Sequence, residues 1–407
     1  MFSRLAVTLR LHAIPRATEL DDRATVLILF ARFIDELCSG LLVVLMPTFR
    51  RRLGLTVEQV GWCFQVMFSV GAIVEPVTSA AIDLRRRRPL VVVGAAGWAA
   101  ALLLAAGAPS FGWLVAAFAV AGAAYGPLAN TADVVLIEGH PDAVERISSR
   151  STQLDTVGAL LAPGLVALGG WAGVDGRILL LVTAAGVAGY AALLVGTVLP
   201  SAMTAAGGPR LVTQMTANLR VVLSDRRGRL GISALMLVEV LGLSEVFEPV
   251  WLRDVVEVSQ SLIAVHVATG LAASLLALTL LDRWLTRHDA LVILVACCIA
   301  SAIVYPAWLL VPGYPAKLAF VALRDAVMAP LWPLLHARAL AALPGKAGAV
   351  TAWTALIAVL PLHAVFGWLA ESFGFTATML GVPTVAFAGL LRLLLRERAR
   401  PERSAPR

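Results

Sequence analysis

The sequence predicts an all-α integral membrane protein with twelve transmembrane helices in two pseudo-symmetric six-helix bundles. Three observations predict this fold: the composition, twelve long apolar stretches, and landmarks that recur in both halves. Of the 407 residues, 59% are hydrophobic and 14% are charged, whereas soluble domains carry about 25% charged residues. The mean hydropathy of +0.85 also places the chain in the membrane class.

Each apolar stretch is about 18 to 27 residues long, which is enough to cross a hydrocarbon core of about 30 Å as a helix. The stretches alternate with short polar connections and with one long polar segment near the middle of the chain. They cover 25–49, 58–82, 89–107, 111–136, 149–171, 177–199, 230–252, 258–281, 290–311, 315–341, 348–370 and 375–393.

The distribution of arginine and lysine predicts the orientation. If the N-terminus lies inside, the inner connections carry several times more of these residues than the outer loops, with the exception of the outer triplet 50–52. We therefore expect both termini in the cytoplasm and the chain in the inner membrane of a bacterium, a source favoured by the arginine- and alanine-rich composition. This asymmetry accounts for the net charge of +7 without a nucleic-acid partner.

Matched prolines indicate that the halves are duplicated. Pro47, Pro127 and Pro163 in the first half correspond to prolines about 200 residues later, in the same order. The predicted division is a cytoplasmic tail at 1–23, a six-helix bundle at 24–199, a cytoplasmic linker at 200–229 that contains an amphipathic helix at 211–224, a second bundle at 230–394, and a basic tail at 395–407.

The first apolar stretch contains Arg32, Asp35 and Glu36, which share one side of a helix. Asp35 lies about 15 Å into the span, near the middle of the bilayer. A charge at that depth costs several kcal/mol on insertion scales, so it is normally paired and functional. Arg32 reaches Asp35 at i+3 or Glu36 at i+4. The alternative to a functional site is a structural ion pair within this helix.

Other ionisable residues lie inside later stretches, at depths that fit a substrate site in the middle of the membrane. We expect Arg324 to pair with an acid, and Glu248 to be a solvated charge near the outer surface. His266 is expected to face a water-filled cavity, with a proton relay as the alternative. The candidate substrate-binding residues are Glu239, Glu245, Arg324, Asp325, Asp155 and His266.

The four cysteines lie inside apolar stretches and lack the spacing of metal ligands. We interpret Cys38, Cys63, Cys297 and Cys298 as small packing residues. The sequence therefore predicts no metal site and no cofactor, with a proton gradient as the energy source.

The connection after the second stretch carries a known pattern. Residues 79–88, SAAIDLRRRR, resemble the G-x-x-x-D-R-x-G-R-R loop of the major facilitator superfamily, although both glycines are absent. A second degenerate copy places Asp282 before Arg283. This resemblance implies alternating access, with a gate at the inner face in which Asp83 and Arg87 act. Asp133, near the inner surface, is the expected partner of the basic cluster.

The fifth apolar stretch carries a pattern that resembles one group within this superfamily. The glycines and Pro163 of residues 158–170, GALLAPGLVALGG, resemble the signature of 12-helix proton-coupled drug antiporters, with Ala162 in place of one glycine. Residues 32–61 locally resemble fosmidomycin-resistance-type exporters. The fourth stretch lacks the arginine that is usual in those antiporters. If the protein couples to protons, either Arg32 or Arg324 takes the electrostatic role of that arginine, or coupling works differently.

We therefore predict a secondary transporter that couples protons to the export of small amphipathic or cationic compounds. Embedded acids outnumber embedded arginines, and a surplus acid in a dry site is suited to carry a proton. Asp35 or Glu36 is the predicted coupling acid, with Arg32 tuning it. The alternative is a proton symporter of an anionic or zwitterionic metabolite. We expect no enzyme activity and a monomer whose partners are its substrate, protons and lipid.

Overall fold

The computed structural model describes residues 22–83, 87–139, 144–199, 226–342 and 357–398. Within them every regular element is helical, so the predicted all-α fold class is confirmed. The elements are α1 (Asp22–Leu53), α2 (Val57–Asp83), α3 (Arg87–Gly107), α4 (Phe111–Tyr125), a π-helical turn (Gly126–Asn130), α5 (Thr131–Gly139), α6 (Val144–Trp171), α7 (Gly176–Val195), α8 (Arg226–Asp254), α9 (Gln260–Leu285), α10 (Ala290–Leu310), α11 (Tyr314–Met328), α12 (Leu331–Ala342), α13 (Leu362–Phe373) and α14 (Phe375–Arg398).

The chain divides into two compact units. The first comprises Met1–Leu55 and Trp62–Leu211, and the second comprises Thr56–Gly61 and Val212–Arg407. Several predicted segments lie outside the described residues, and the predicted domain boundaries stay a prediction. These segments are residues 1–21 of the N-terminal tail, the linker from 200 to 225 with its amphipathic helix, and residues 399–407 of the C-terminal tail.

In the part of the chain that the structure describes, ten helical segments are long and apolar enough to cross a membrane. The first apolar stretch is not among them, because α1 carries charges near its middle and at both ends. The eleventh is described only from residue 357 onward, and its main helix α13 has 12 residues. A multi-pass membrane protein follows from these lengths and compositions.

Two of the predicted spans are interrupted beside a proline. The fourth consists of α4, the π-helical turn that contains Pro127, and α5. The tenth consists of α11 and α12, which are separated by a break at Ala329 and Pro330. Proline has no backbone N–H and clashes with the preceding turn, so it weakens the regular α-helical bonding pattern at its position. Two corresponding spans therefore have irregular backbone near their middle.

In the first unit, α6 lies directly against α1 at Gly158. A Cβ atom added there would stand 2.4 Å from the carbonyl oxygen of Phe33, so a larger residue would push the helices apart. The small residue at position 158 therefore allows the close approach of the two helices. The helix continues through Pro163, and the predicted gating role of this proline stays a prediction.

The second unit has an aromatic core. Tyr305 and Trp308 on α10 are buried, and the Tyr305 hydroxyl donates to the carbonyl oxygen of Met379 at 2.9 Å. Phe247 on α8 stacks on Phe366 of α13 with ring centroids 4.6 Å apart. These aromatic contacts fix the position of α10 beside the charged residues described below.

All four cysteines are buried and free. The interpretation of these residues as small packing residues is confirmed. Cys298, for example, lies with its sulfur 3.8 Å from the carbonyl oxygen of Phe387, which places it in the packed interface between α10 and α14.

The arginine triplet that opposes the orientation rule has a structural role at one position. Arg52 donates to the carbonyl oxygens of Ala105, Ala106 and Ala108 at 3.1 to 3.2 Å, and Arg177 Nε donates to that of Ala106 at 3.0 Å. The last carbonyls of a helix have no partner within the helix and carry partial negative charge. The two guanidinium groups therefore cap the C-terminus of α3.

We expect Arg52→Ala to lower the melting temperature of the purified protein by several degrees. The loss of the cap leaves helix-end carbonyls without a donor, at a cost of about 1–3 kcal/mol. Arg283→Ala, at an exposed arginine of α9, is the matched control and should leave the melting temperature unchanged. Equal effects of the two substitutions would contradict the capping role.

Candidate functional site

The first charged cluster contains the candidate residues of α1 and α6. Arg32 Nη2 lies 2.9 Å from Asp155 Oδ2. The alternative of a structural ion pair of Arg32 with Asp35 or Glu36 within α1 is therefore wrong, because the ion pair joins two helices. This pairing results from the close approach of α6 to α1 at Gly158. Gly158 lies one turn after Asp155 on α6, so the same approach brings the Asp155 carboxylate to α1.

Asp35 is the most buried acid of the first cluster, at 1% exposure. Its Oδ1 accepts a hydrogen bond from Trp98 Nε1 on α3 at 2.7 Å. Within the described part of the chain, no cation lies within 4 Å of this carboxyl group, since Arg32 is turned toward Asp155. Glu36, the next residue, is half-buried. The arrangement gives Asp35 a neutral donor in place of a counter-ion.

Within the basic cluster after α2, Arg87 does not pair with Asp133 as predicted, and Arg85 and Arg86 lie outside the described residues. Arg87 Nη2 pairs with Glu138 Oε2 at 2.7 Å, whereas Asp133 accepts a hydrogen bond from Ser151 Oγ at 3.2 Å. Five residues separate the two acids on α5, which turns them about 140° apart around the helix. Asp133 consequently faces α6, and Glu138 faces the start of α3. The side chain of Asp83 lies outside the described residues.

The second charged cluster is centred on Arg324 of α11. Its Nη1 lies 2.6 Å from Glu248 Oε2 on α8, and its Nε lies 2.6 Å from Asp325 Oδ1. The guanidinium group also stands over the ring of Trp308, 4.1 Å from the centroid. The expectation that Arg324 pairs with an acid is confirmed. One cation serves two carboxylates at this site.

Two expectations for this cluster are wrong. Glu248 is 4% exposed instead of solvated, because His266 of α9 and Arg324 of α11 lie against its carboxylate. His266 is fully buried instead of facing water. Its Nε2 lies 3.0 Å from Glu248 Oε1 and accepts a hydrogen bond from Trp308 Nε1 at 3.3 Å. The two residues belong to one network with Arg324.

Gly270 on α9 makes room for the Asp325 carboxylate. A Cβ atom added at Gly270 would stand 1.8 Å from Asp325 Oδ2, which is far inside van der Waals contact. Ser274, one turn later on the same helix, donates to the Asp325 carbonyl oxygen at 3.3 Å. The position of this carboxylate beside Arg324 therefore depends on the absence of a side chain at residue 270.

The remaining candidates in the second unit lie outside the ion-pair network. Glu239 Oε1 accepts a hydrogen bond from Trp332 Nε1 at 3.1 Å, and the Trp332 ring stacks on His336. Glu245 is exposed, although it lies close enough to interact electrostatically with Arg324 and the nearby acids. These two glutamates present carboxylates beside the buried network without joining it.

Three partner residues were missed at the sequence level: Trp98, Trp308 and Glu138. The two tryptophans sit in apolar stretches, where an indole gives no polar signal although it carries one hydrogen-bond donor. Each tryptophan lies on a different helix from the charged residue that it contacts, so the contact exists only in the folded structure. Among the described residues, no group of three or more His, Cys, Asp or Glu could hold a metal ion.

A family model described as Major Facilitator Superfamily matches residues 28–362. The chain matches no curated protein sequence.

Solved structures of transporters share the fold. The nucleoside transporter NupG has 11% identity and a TM-score of 0.76, with 92% of this chain and 99% of that chain covered. A bacterial homologue of the human lysosomal transporter Spinster, in an inward-facing unoccupied conformation, has 15% identity and a TM-score of 0.68, with 91% and 92% covered. A variant of the E. coli fucose:proton symporter FucP has 15% identity and a TM-score of 0.60, with 93% and 99% covered. At these identities the likeness concerns the fold alone.

We expect Gly270→Ala to destabilise the protein, although glycine-to-alanine changes within helices normally stabilise by about 1 kcal/mol. The added methyl group displaces the Asp325 carboxylate and weakens its bond to Arg324. Gly381→Ala on α14, where an added Cβ meets nothing within 4 Å, is the matched control and should raise the melting temperature slightly. A rise for both variants would show that Asp325 has room to move.

Proposed function

Because the chain belongs to the Major Facilitator Superfamily, we propose that this multi-pass membrane transporter couples protons to the export of small amphipathic or cationic compounds by alternating access. Family and fold make it a transporter rather than an enzyme. We further propose a location in a bacterial inner membrane, cytoplasmic termini and a monomeric state.

The environment of Asp35 carries the proposal of proton coupling. A carboxylate that is buried without a counter-ion has lost its hydration, and no ion pair compensates the free-energy cost of that loss. The Trp98 N–H supplies one hydrogen bond but no charge. Binding a proton removes the cost, and release of the proton toward water restores a charge that another cation can neutralise. Asp35 is thus suited to carry a proton, while Glu36 is the second candidate on the same side of α1.

The pairing of the arginines favours a cationic or neutral substrate. Arg32 is bound to Asp155, and Arg324 is bound to Glu248 and Asp325. An anionic substrate would have to compete with these carboxylates for a guanidinium group. Glu239 and Glu245, by contrast, offer carboxylates outside the ion-pair network. We propose them as contacts for a cation, with symport of an anionic or zwitterionic metabolite as the alternative.

The Arg87–Glu138 pair is the candidate for the latch at the inner face. It joins the start of α3 to the end of α5, two helix ends that border the basic cluster after α2. We propose that this pair takes the gating role first expected for Asp83, Arg87 and Asp133, and that Asp133 instead supports the first charged cluster through Ser151.

We expect Asp35→Asn to reduce pH-driven ethidium accumulation in proteoliposomes whose membrane potential is held at zero with valinomycin and equal potassium. An acidic interior should drive wild-type uptake in exchange for protons. Each coupled proton contributes a factor of about ten per pH unit to the accumulation ratio, so the variant should fall at least about tenfold per unit. Ethidium exchange without a pH gradient should persist.

Asp175→Asn is the matched control, because Asp175 is an exposed carboxyl group of the same unit. If Asp35→Asn combined with Glu36→Gln leaves pH-driven uptake intact, these acids are not the coupling site. If ethidium does not move but glutamate or phosphate entry acidifies the interior, the protein is a symporter, and the proposed direction and substrate class are wrong.

A further inference from the structure

The indole ring of Trp332 on α12 has one covered face and one open face. The imidazole of His336, one turn later on the same helix, stacks on it with ring centroids 4.7 Å apart and an angle of 16° between the planes. This nearly parallel stack covers one face of the indole. Trp332 is nevertheless 44% exposed, so the opposite face is accessible. The two rings together present a flat aromatic surface that is supported from behind.

A carboxylate lies at the edge of this surface. Glu239 Oε1 of α8 accepts a hydrogen bond from Trp332 Nε1 at 3.1 Å. The indole N–H lies in the plane of the ring, so the carboxylate stands beside the ring and leaves the open face clear. An ionised carboxylate has about four acceptor positions, and the indole occupies one of them. Glu239 takes part in none of the ion pairs among the described residues, so its charge is available to a ligand.

The depth of Glu239 indicates what the open face meets. This residue lies about 14 Å along the helix from residue 230, near the middle of a hydrocarbon core of about 30 Å. Ionisable side chains at such a depth face the interior of the bundle or a water-filled cavity and avoid lipid. Because Trp332 is hydrogen-bonded to this carboxylate, its open face borders the same water-accessible space.

The charges near Glu239 favour a positive ligand. Glu245, which is exposed on the same helix, lies close enough to interact electrostatically with Glu239. The cation of the buried network, Arg324, is paired with two carboxylates, those of Glu248 and Asp325. The network therefore carries a surplus of negative charge and does not repel a cation from this part of the second unit.

We propose that Trp332 and Glu239 form a binding site for flat aromatic cations. The ligand ring stacks on the open face of Trp332, where the π-electrons attract positive charge, and its charged group lies beside the Glu239 carboxylate. An uncharged flat compound gains the stacking alone, and an aliphatic ammonium ion gains the charge contact without an extended stack. The assignment of this ligand as the transported compound rests on the proposed export function, but its binding can be tested without transport.

The first test is the equilibrium binding of ethidium to the purified full-length protein in lipid nanodiscs, measured by fluorescence anisotropy at pH 8 and corrected with empty nanodiscs. We expect Trp332→Leu to weaken ethidium binding about tenfold, because a cation–π contact shielded from water contributes a factor of that order. Trp284→Leu, at an exposed tryptophan of α9 in the same unit, is the matched control and should bind ethidium as the wild type does.

The second test separates the ring from the charge by competition against ethidium. The competitors are N-methylphenanthridinium, its uncharged counterpart phenanthridine, and tetraethylammonium, and the first should bind most tightly to the wild type. Glu239→Gln keeps an acceptor oxygen for the indole N–H and removes only the charge. We expect it to weaken the binding of N-methylphenanthridinium about tenfold and to leave that of phenanthridine unchanged. Glu257→Gln, at an exposed acid of the same unit, is its control.

If Trp332→Leu does not fold, Trp332→Phe replaces it, since phenylalanine keeps a smaller ring without the N–H and should show an intermediate loss. The site is contradicted if the wild type does not bind ethidium, if the folded Trp332 variant binds it with wild-type affinity, or if Glu239→Gln weakens phenanthridine and N-methylphenanthridinium equally. pH-driven ethidium transport together with any of the last two results would leave the proposed export intact. Binding as expected without pH-driven transport would contradict only the export.

Discussion

The pairing of buried charges is the constraint on which each unit depends. Arg32 meets Asp155 from another helix, and Arg324 meets Glu248 from another helix. These contacts tie α1 to α6 and α8 to α11. Removal of one partner from such a pair leaves an unpaired buried charge, which typically costs about 3–5 kcal/mol. The ion pairs therefore fix the rotation of α1 and α11 about their helix axes. That rotation determines which neighbours the other polar side chains of these helices contact.

Each ion pair in turn depends on a position that has no side chain. Gly158 allows α6 to contact the backbone of α1, and this contact places Asp155 beside Arg32. Gly270 leaves the space that the Asp325 carboxylate fills. Because the membrane supplies little hydrophobic force between helices, close packing at small residues has to bring the helices together. Packing and electrostatics thus support the same contacts in both units.

Composition and the lengths of the apolar stretches predicted the helical membrane fold, because both depend only on local sequence. The ionisable residues inside the spans also predicted where the polar chemistry lies. The pairings could not be predicted: Arg32 and Asp155 are 123 residues apart, and helix rotation decides which acid an arginine meets. Glu248 was placed near the surface by counting from the predicted end of its helix, which ignores the burial supplied by α9 and α11.

Asp35 and Glu248 show how similar acids at buried positions acquire different properties. Glu248 has a guanidinium group on one oxygen, which stabilises its charge, and the His266 imidazole beside the other. Asp35 has only the neutral N–H of Trp98. A neutral donor orients a carboxyl group without stabilising its negative charge, so the protonation state of Asp35 depends on whether water or a cation reaches it. Proton coupling requires an acid whose protonation state can change. An acid that is paired with arginine stays ionised and holds a helix in place.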